Sequence, residues 1–247
     1  MPGLLEGKNV VVTGGGRGIG SKIIEMVISE GGNAAFLDIE EPKAYPRGAL
    51  FQKADISKEE DVKESFLNIE KELGDVYGLV NNAAISHPPV PGEDVTADLL
   101  YRVFAINVFG AFYSTKYALR SMLKIGKGSV VSISSVIGKV GSKNSSVYAS
   151  SKAALLGMTK SNAVTYASRH IRFNAVLPGY VETPLIEEAA RKSGDYETYM
   201  KNLISLHPVG RLGNAEEIAG LVVYLLSEKS SFITGSEIVI DGGYTSI

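Results

Sequence analysis

The chain has 247 residues, 45% hydrophobic and 21% charged, and its 25 Lys+Arg against 27 Asp+Glu leave a net charge of -2. That length can bury one substantial core, and the balanced charge offers no basic footprint for nucleic acid. Cysteine is absent, which excludes disulfides, cysteine nucleophiles and thiolate metal sites and fits a cytoplasmic location. No apolar run approaches the length of a membrane span, and the opening MPGLLEGKNV lacks a signal-peptide pattern.

Residues 8–13 (KNVVVT) are short, branched and apolar, which suits a buried parallel strand. Glycines follow, and residues 19–30 have helical periodicity with Ile23, Ile24, Val27 and Ile28 on the apolar side. Gly31 and Gly32 stop that helix, and residues 34–38 (AAFLD) read as the second strand. The alternation continues with a strand at 49–54, a helix at 58–73, a strand at 76–80 and one long helix or two over 99–123. A strand at 129–134, a helix at 147–168, a strand at 171–177, helical material at 184–206, a helix at 215–226 and a strand at 237–240 complete the chain. Seven strands separated by helices predict one domain built on an open parallel α/β sheet with right-handed crossovers. Two irregular segments, 84–93 and 136–146, follow the carboxyl ends of strands, where ligands bind in such sheets. A surface loop shaped by its prolines accounts for the first equally well.

Residues 13–20 read TGGGRGIG between a strand and a helix, where free N–H groups and the helix N-terminus can cradle an anion. Gly14 suits the tight turn, Gly18 a close approach of phosphates and Gly20 close helix packing. Asp38 ends the second strand and can accept hydrogen bonds from the hydroxyls of an adenine ribose while repelling a 2′-phosphate, which favours NAD over NADP. Arg17 dissents, since it could attract that phosphate. Tyr148 and Lys152 stand four apart and so share one helix face. An ammonium there would favour the phenolate and lower the tyrosine pKa; an ordinary surface helix accounts for the same spacing.

Taken together, TGGGRGIG, NNAA at 81–84, Asn107, ISS at 133–135, YASSK at 148–152 and PGYVET at 178–183 come in an order that resembles the short-chain dehydrogenases/reductases along essentially the whole chain. The fourth residue of NNAA, Ala84, stands where that family usually has glycine. The resemblance implies a Rossmann-type doubly wound seven-stranded parallel sheet with helices on both faces. It also implies hydride exchange between a nicotinamide and a carbinol or carbonyl carbon, and a homotetramer or homodimer.

Carried over residue by residue, the resemblance makes Tyr148 the acid/base, Lys152 the group that lowers its pKa and holds the nicotinamide ribose, and Ser135 the positioner of the substrate oxygen. Asn107 would support a water-linked proton path near Lys152, through an irregularity in its helix. Ser134 would point the other way from Ser135. Thr13, Gly14, Arg17, Gly18, Ile19 and Gly20 would surround the pyrophosphate or its approach, Asp38 the ribose, and Asp55 and Ile56 would lie beside the adenine. Asn81 and Ala83 would make contacts beyond the fourth strand. Pro178 and Gly179 would turn the chain beneath the nicotinamide, and Val181 and Thr183 would fix its carboxamide. His87, Asn144, Tyr148, Ser135 and Tyr180 are expected around the substrate. A lid is expected over about 184–207, with Leu185, Ile186, Leu203 and Leu206 turned inward.

The polar lid and loops favour an NAD-dependent dehydrogenase of a small polar alcohol, polyol or sugar. The alternative is an NADPH-dependent reductase of 3-oxoacyl thioesters, and a third is a dinucleotide-binding sensor without catalysis. His87, His170 and His207 are widely spaced and join no thiol, so no metal site is expected.

Overall fold

A computed structural model of the chain describes residues 3–246. Seven parallel strands form one sheet: β1 (Asn9–Thr13), β2 (Asn33–Asp38), β3 (Leu50–Lys53), β4 (Gly78–Asn81), β5 (Gly128–Ile133), β6 (Ile171–Pro178) and β7 (Glu237–Ile240), in the order β3-β2-β1-β4-β5-β6-β7. The chain builds outward from β1 to β3, then returns to lay β4 on the other side of β1. This reversal opens a crevice beyond the carboxyl ends of β1 and β4, the place where such sheets receive ligands.

Alternation along β1 explains why its valines cannot be read as one apolar face. Val10 and Val12 pack with α1 (Gly18–Ser29) and α8 (Ala215–Leu226), meeting Ile23, Ile24, Val27, Ile218 and Val222. Val11 faces the opposite layer of α2 (Glu59–Leu73) and α4 (Gly110–Ile125), with Val62, Phe66, Ile69, Ala118 and Met122. Both faces of the sheet are covered, as a parallel sheet requires. Phe36 on β2 is fully buried, and truncating such a ring to alanine costs about 3–5 kcal/mol. A third helix on the α4 side, α5 (Ser146–Tyr166), sets Leu156 against Ala175 and Leu177 of β6 and contributes Ala163 to the core.

Two helical stretches are irregular. The stretch expected over 99–123 is α3 (Ala97–Phe104), a π-helical turn (Ala105–Phe109) and then α4, without a gap. The stretch over 184–206 divides into α6 (Pro184–Lys192) and α7 (Tyr196–Ser205) at Gly194, whose φ of 84° no helix accepts. Of the four residues expected to face inward there, Leu203 is buried and Ile186 half-buried, whereas Leu185 and Leu206 are exposed. Ala190 takes the buried position on α6 instead.

Candidate active site

The glycine turn begins where β1 ends. Gly14 has φ 66° and lies so close to the β4 exit that a Cβ on it would stand 2.8 Å from Cα of Ala83. Gly18 has φ 57° and opens α1. A Cβ on Gly20 would fall 2.1 Å from the Gly14 carbonyl oxygen. Gly14 and Gly20 thus sit in the tight turn and the close packing that their places in the motif suggest. Gly15 and Gly16 add two requirements that the motif alone does not reveal. A Cβ on Gly15 would collide with Phe36 at 2.5 Å, and one on Gly16 with Oδ2 of Asp38 at 2.8 Å.

The hydroxyl of Thr13, at the approach to the pyrophosphate position, is engaged within the protein. Oγ1 accepts the N–H groups of Asn82 and Ala83, both at 3.1 Å, and donates to Val80 O at 3.4 Å. Asn82 returns the contact, donating from Nδ2 to the carbonyls of Thr13 (3.0 Å) and Gly14 (2.9 Å). Asn82 thus staples the turn to β4. Its amide beside Asn81 was visible in NNAA, but spacing gave no sign of which asparagine would turn inward.

Asn81 is the one turned away from the crevice. Its Nδ2 donates to Thr115 on α4 at 3.0 Å, and its buried Oδ1 has no partner among the described residues. Only its main chain can serve the crevice. Ile56 is likewise buried, lying where a Cβ on Gly110 would touch it. Asp55 accepts from the hydroxyl (2.6 Å) and N–H (3.1 Å) of Ser57, and those bonds hold its carboxyl below the usual range. Asp38 does occupy the β2 end. Oδ2 accepts Gly16 N–H at 2.9 Å and Oδ1 accepts Ile39 N–H at 2.8 Å. Arg17 is exposed, Ile19 is partly buried against the core, and the Arg17 charge helps depress the carboxyl of Glu188 on α6, after the nearer Lys192.

Beyond β6, Pro178 and Gly179 turn the chain, with Gly179 N–H held by Ile240 O at 3.1 Å. Val181 is buried and forms an isolated bridge with Gly213. Thr183 faces the glycine turn, its side chain 3.6 Å from where a Cβ on Gly18 would lie.

Ser135, Tyr148 and Lys152 gather at the end of β5. Ser135 Oγ accepts Ile137 N–H at 3.3 Å, while Ser134 Oγ, one residue earlier on the opposite side, donates to Lys152 O at 2.8 Å. Lys152 is buried, and its Nζ donates to Ile133 O at 2.8 Å. Nζ stands 5.7 Å from the centre of the Tyr148 ring. Burial lowers the Lys152 pKa to about 8. At this distance the Tyr148 phenol answers to its burial rather than to Lys152. Burial, reinforced by the neighbouring Tyr180 phenol, pushes Tyr148 up to about 12, against the pull of a hydrogen bond with Ser135. Removal from water penalises both charged forms, so each group is driven toward neutrality.

Asn107 lies within the π-helical turn, the irregularity the resemblance implies. Its amide accepts Ile85 N–H (2.9 Å) and donates to Ile85 O (3.0 Å) and Ser151 Oγ (3.0 Å). The side chain therefore joins the segment after β4 to α5.

The substrate-side expectations divide. Tyr180 is half-buried beside Tyr244 and His207, with ring centres 6.2 and 5.9 Å away. Asn144 has φ 58°, and its carbonyl accepts Val90 N–H at 2.8 Å. His87 offers no free ring nitrogen: Nδ1 meets Pro88 O at 2.7 Å, and Nε2 accepts Tyr148 N–H at 3.3 Å. His207, unmarked in the sequence except as an isolated histidine, is buried and accepts Tyr180 N–H at 3.1 Å.

A family model described as "Enoyl-(Acyl carrier protein) reductase" matches residues 14–245. The chain belongs to the short-chain dehydrogenase/reductase family. It is 37% identical to a 2,5-dichloro-2,5-cyclohexadiene-1,4-diol dehydrogenase of Sphingobium indicum over 98% of this chain and 99% of that one. Its fold matches ligand-free aldohexose dehydrogenase of Thermoplasma acidophilum with a TM-score of 0.93 at 35% identity, covering 99% and 96% of the two chains. It also matches ElxO with NADP bound, with a TM-score of 0.90 at 32% identity, covering 97% and 99%. As a member of this family the chain is an oxidoreductase acting on CH–OH groups with a nicotinamide dinucleotide.

Proposed function

We propose that the chain interconverts a small polar secondary alcohol, a cyclic polyol or a sugar, and its carbonyl form, using NAD. The observation that carries this reading is the convergence of Ser135, Tyr148 and Lys152 at the end of β5, across from a glycine turn whose ribose end is closed by Asp38. The crevice fits a dinucleotide. Gly18 leaves open the gap toward Thr183 that a side chain would fill, and the Asp38 carboxylate is an acceptor where ribose hydroxyls would lie. Thr183, Gly14, Gly18 and the main chain after β4 would hold the group, with Lys152 and Tyr148 at its nicotinamide end. When bound, it supplies the hydride acceptor or donor.

The chain's own groups handle the proton. In the oxidative direction Tyr148 Oη takes the proton of the substrate hydroxyl. Ser135, its Oγ already fixed by Ile137 N–H, keeps its own proton to donate to the same oxygen. In the reductive direction the neutral phenol donates to the developing alkoxide. Lys152, anchored to Ile133 O, places its charge beside the phenol whenever it is protonated.

The named substrates of two relatives, a cyclic diol and an aldohexose, support the substrate class. Asp38 supports NAD, because a 2′-phosphate would meet its carboxylate. The description of the family model favours a second reading, NADPH-dependent reduction of an acyl thioester, and Asp38 opposes it. We further propose a lid over 184–207, a cytoplasmic location and a homotetramer or homodimer. Exposed Phe109, Phe112 and Val164 support association, since large apolar side chains at such positions gain by burial.

The experiment is turnover of D-glucose, L-fucose, cyclohexanol and a 3-oxoacyl thioester, with NAD(H) and NADP(H) offered separately. Wild type is expected to oxidise one of the alcohols with NAD, and Tyr148→Phe to lose roughly 10²–10⁴-fold. Thioester reduction with NADPH and no alcohol oxidation would overturn the reading.

A further inference from the structure

We infer that His87 is a positioning residue for Tyr148, acting as a side-chain cap on the first turn of the catalytic helix. Tyr148 is the third residue of α5, where N–H groups have no partner inside the helix. The residue that should cap this end, Ser145, makes no side-chain hydrogen bond to it. The imidazole of His87 takes over that task from a different part of the chain, sixty-one residues earlier.

The bonding selects its tautomer. A carbonyl oxygen only accepts, so the Nδ1 that faces Pro88 O at 2.7 Å carries the proton. The other nitrogen, Nε2, then presents a lone pair, and Tyr148 N–H points at it from 3.3 Å. One neutral tautomer satisfies both contacts. The segment that carries His87 is itself held. Asn107 grips Ile85 N–H and O, and Val90 N–H reaches Asn144 O at 2.8 Å. His87 therefore sits between two fixed points and transmits their position to the backbone of Tyr148. This accounts for a histidine at the mouth of the crevice that turns both nitrogens to main chain.

The inference rests on Tyr148 being the acid/base, and Tyr148→Phe is assayed alongside to test that separately. The panel alcohol that wild type oxidises fastest serves as the probe, with NAD. His87→Ala is expected to lower kcat roughly tenfold, the scale of about 1.4 kcal/mol, with KM for NAD unchanged. His87→Gln, whose amide can accept from Tyr148 N–H and donate to Pro88 O, is expected to recover most of kcat. Hydrogen exchange of peptides spanning residues 146–150 is expected to accelerate in His87→Ala and to return toward wild type in His87→Gln. Unchanged kcat and exchange in His87→Ala, while Tyr148→Phe is inactive, would overturn the inference and leave the acid/base reading intact. Equal kcat loss in both His87 variants, with KM for the alcohol raised and exchange unchanged, would also overturn it and assign the ring to the substrate. An active Tyr148→Phe would remove the premise itself.

Discussion

Lys152 donates from Nζ to the main-chain oxygen of Ile133 at 2.8 Å, inside a region that leaves the side chain almost wholly buried. One carbonyl is modest compensation for an ammonium taken out of water, and the pKa falls to about 8 accordingly. The sign of the resulting stability change follows. The unfolded chain holds the lysine proton up to the ordinary value of 10.5, so between about pH 8 and 10.5 it binds more protons than the folded chain. Wild-type stability should therefore rise across that window relative to Lys152→Met. The expected relative gain is roughly 2–4 kcal/mol, read from urea unfolding of both proteins at the two ends. A difference that stays constant with pH would show that Lys152 is not strained by burial.

Tyr148 predicts the activity profile. Its phenol, pushed up to about 12 by burial, is neutral throughout the physiological range. Alcohol oxidation requires the phenol to accept a proton, so kcat/KM for oxidation should climb from about pH 7 to about pH 10. Carbonyl reduction, which uses the proton, should not climb with it. Steady-state rates in both directions check this, and a plateau in oxidation near pH 7 would mean the free enzyme already holds a phenolate.

Asp38 and Gly16 make the cofactor choice testable. The carboxylate is fixed by Gly16 N–H at 2.9 Å and Ile39 N–H at 2.8 Å, so in the proposed role it would meet a ribose already oriented. Asp38→Ser should raise KM for NAD roughly tenfold, the scale of a lost charge-assisted hydrogen bond. It should also shift the ratio of kcat/KM toward NADP. A wild type that already prefers NADP would refute the role given to Asp38.

The layout of sheet and helices was legible because β-branched runs and 3.6-residue periodicity alternate along the chain, and all seven strands lie within a few residues of their expected positions. What periodicity cannot carry is the direction of a single polar side chain. Asn81 and Asn82 are adjacent and identical, yet one bonds α4 and the other the glycine turn. The π-helical turn at 105–109 and the helix break at Gly194 follow from local backbone choices inside otherwise regular patterns. The proximity of Tyr148 and Lys152 was likewise legible from spacing. The rise in the tyrosine pKa was not, since burial depends on what the rest of the fold packs around it.

Asn82 joins the two halves of the crevice more directly than any residue named from the motifs. Its single Nδ2 serves the carbonyls of Thr13 and Gly14, the two residues at which β1 becomes the glycine turn. Its own N–H is held by the Thr13 hydroxyl, so the exits of β1 and β4 are tied in both directions. Asn82→Asp keeps the shape but removes the donor, and places a carboxylate against two carbonyl oxygens. Asn82→Ala removes the donor without that repulsion. Alanine should cost about 1–3 kcal/mol of stability, or a Tm lower by about 2–4 °C per kcal/mol for a chain of this size. Aspartate should cost more than alanine despite its closer shape. NAD affinity, read by fluorescence titration with the dinucleotide alone, should weaken in both, because Gly14 no longer has a fixed carbonyl to hold the turn in place. If aspartate equals wild type in Tm and in NAD binding, the two carbonyls do not depend on this donor and the turn is held by its glycines alone.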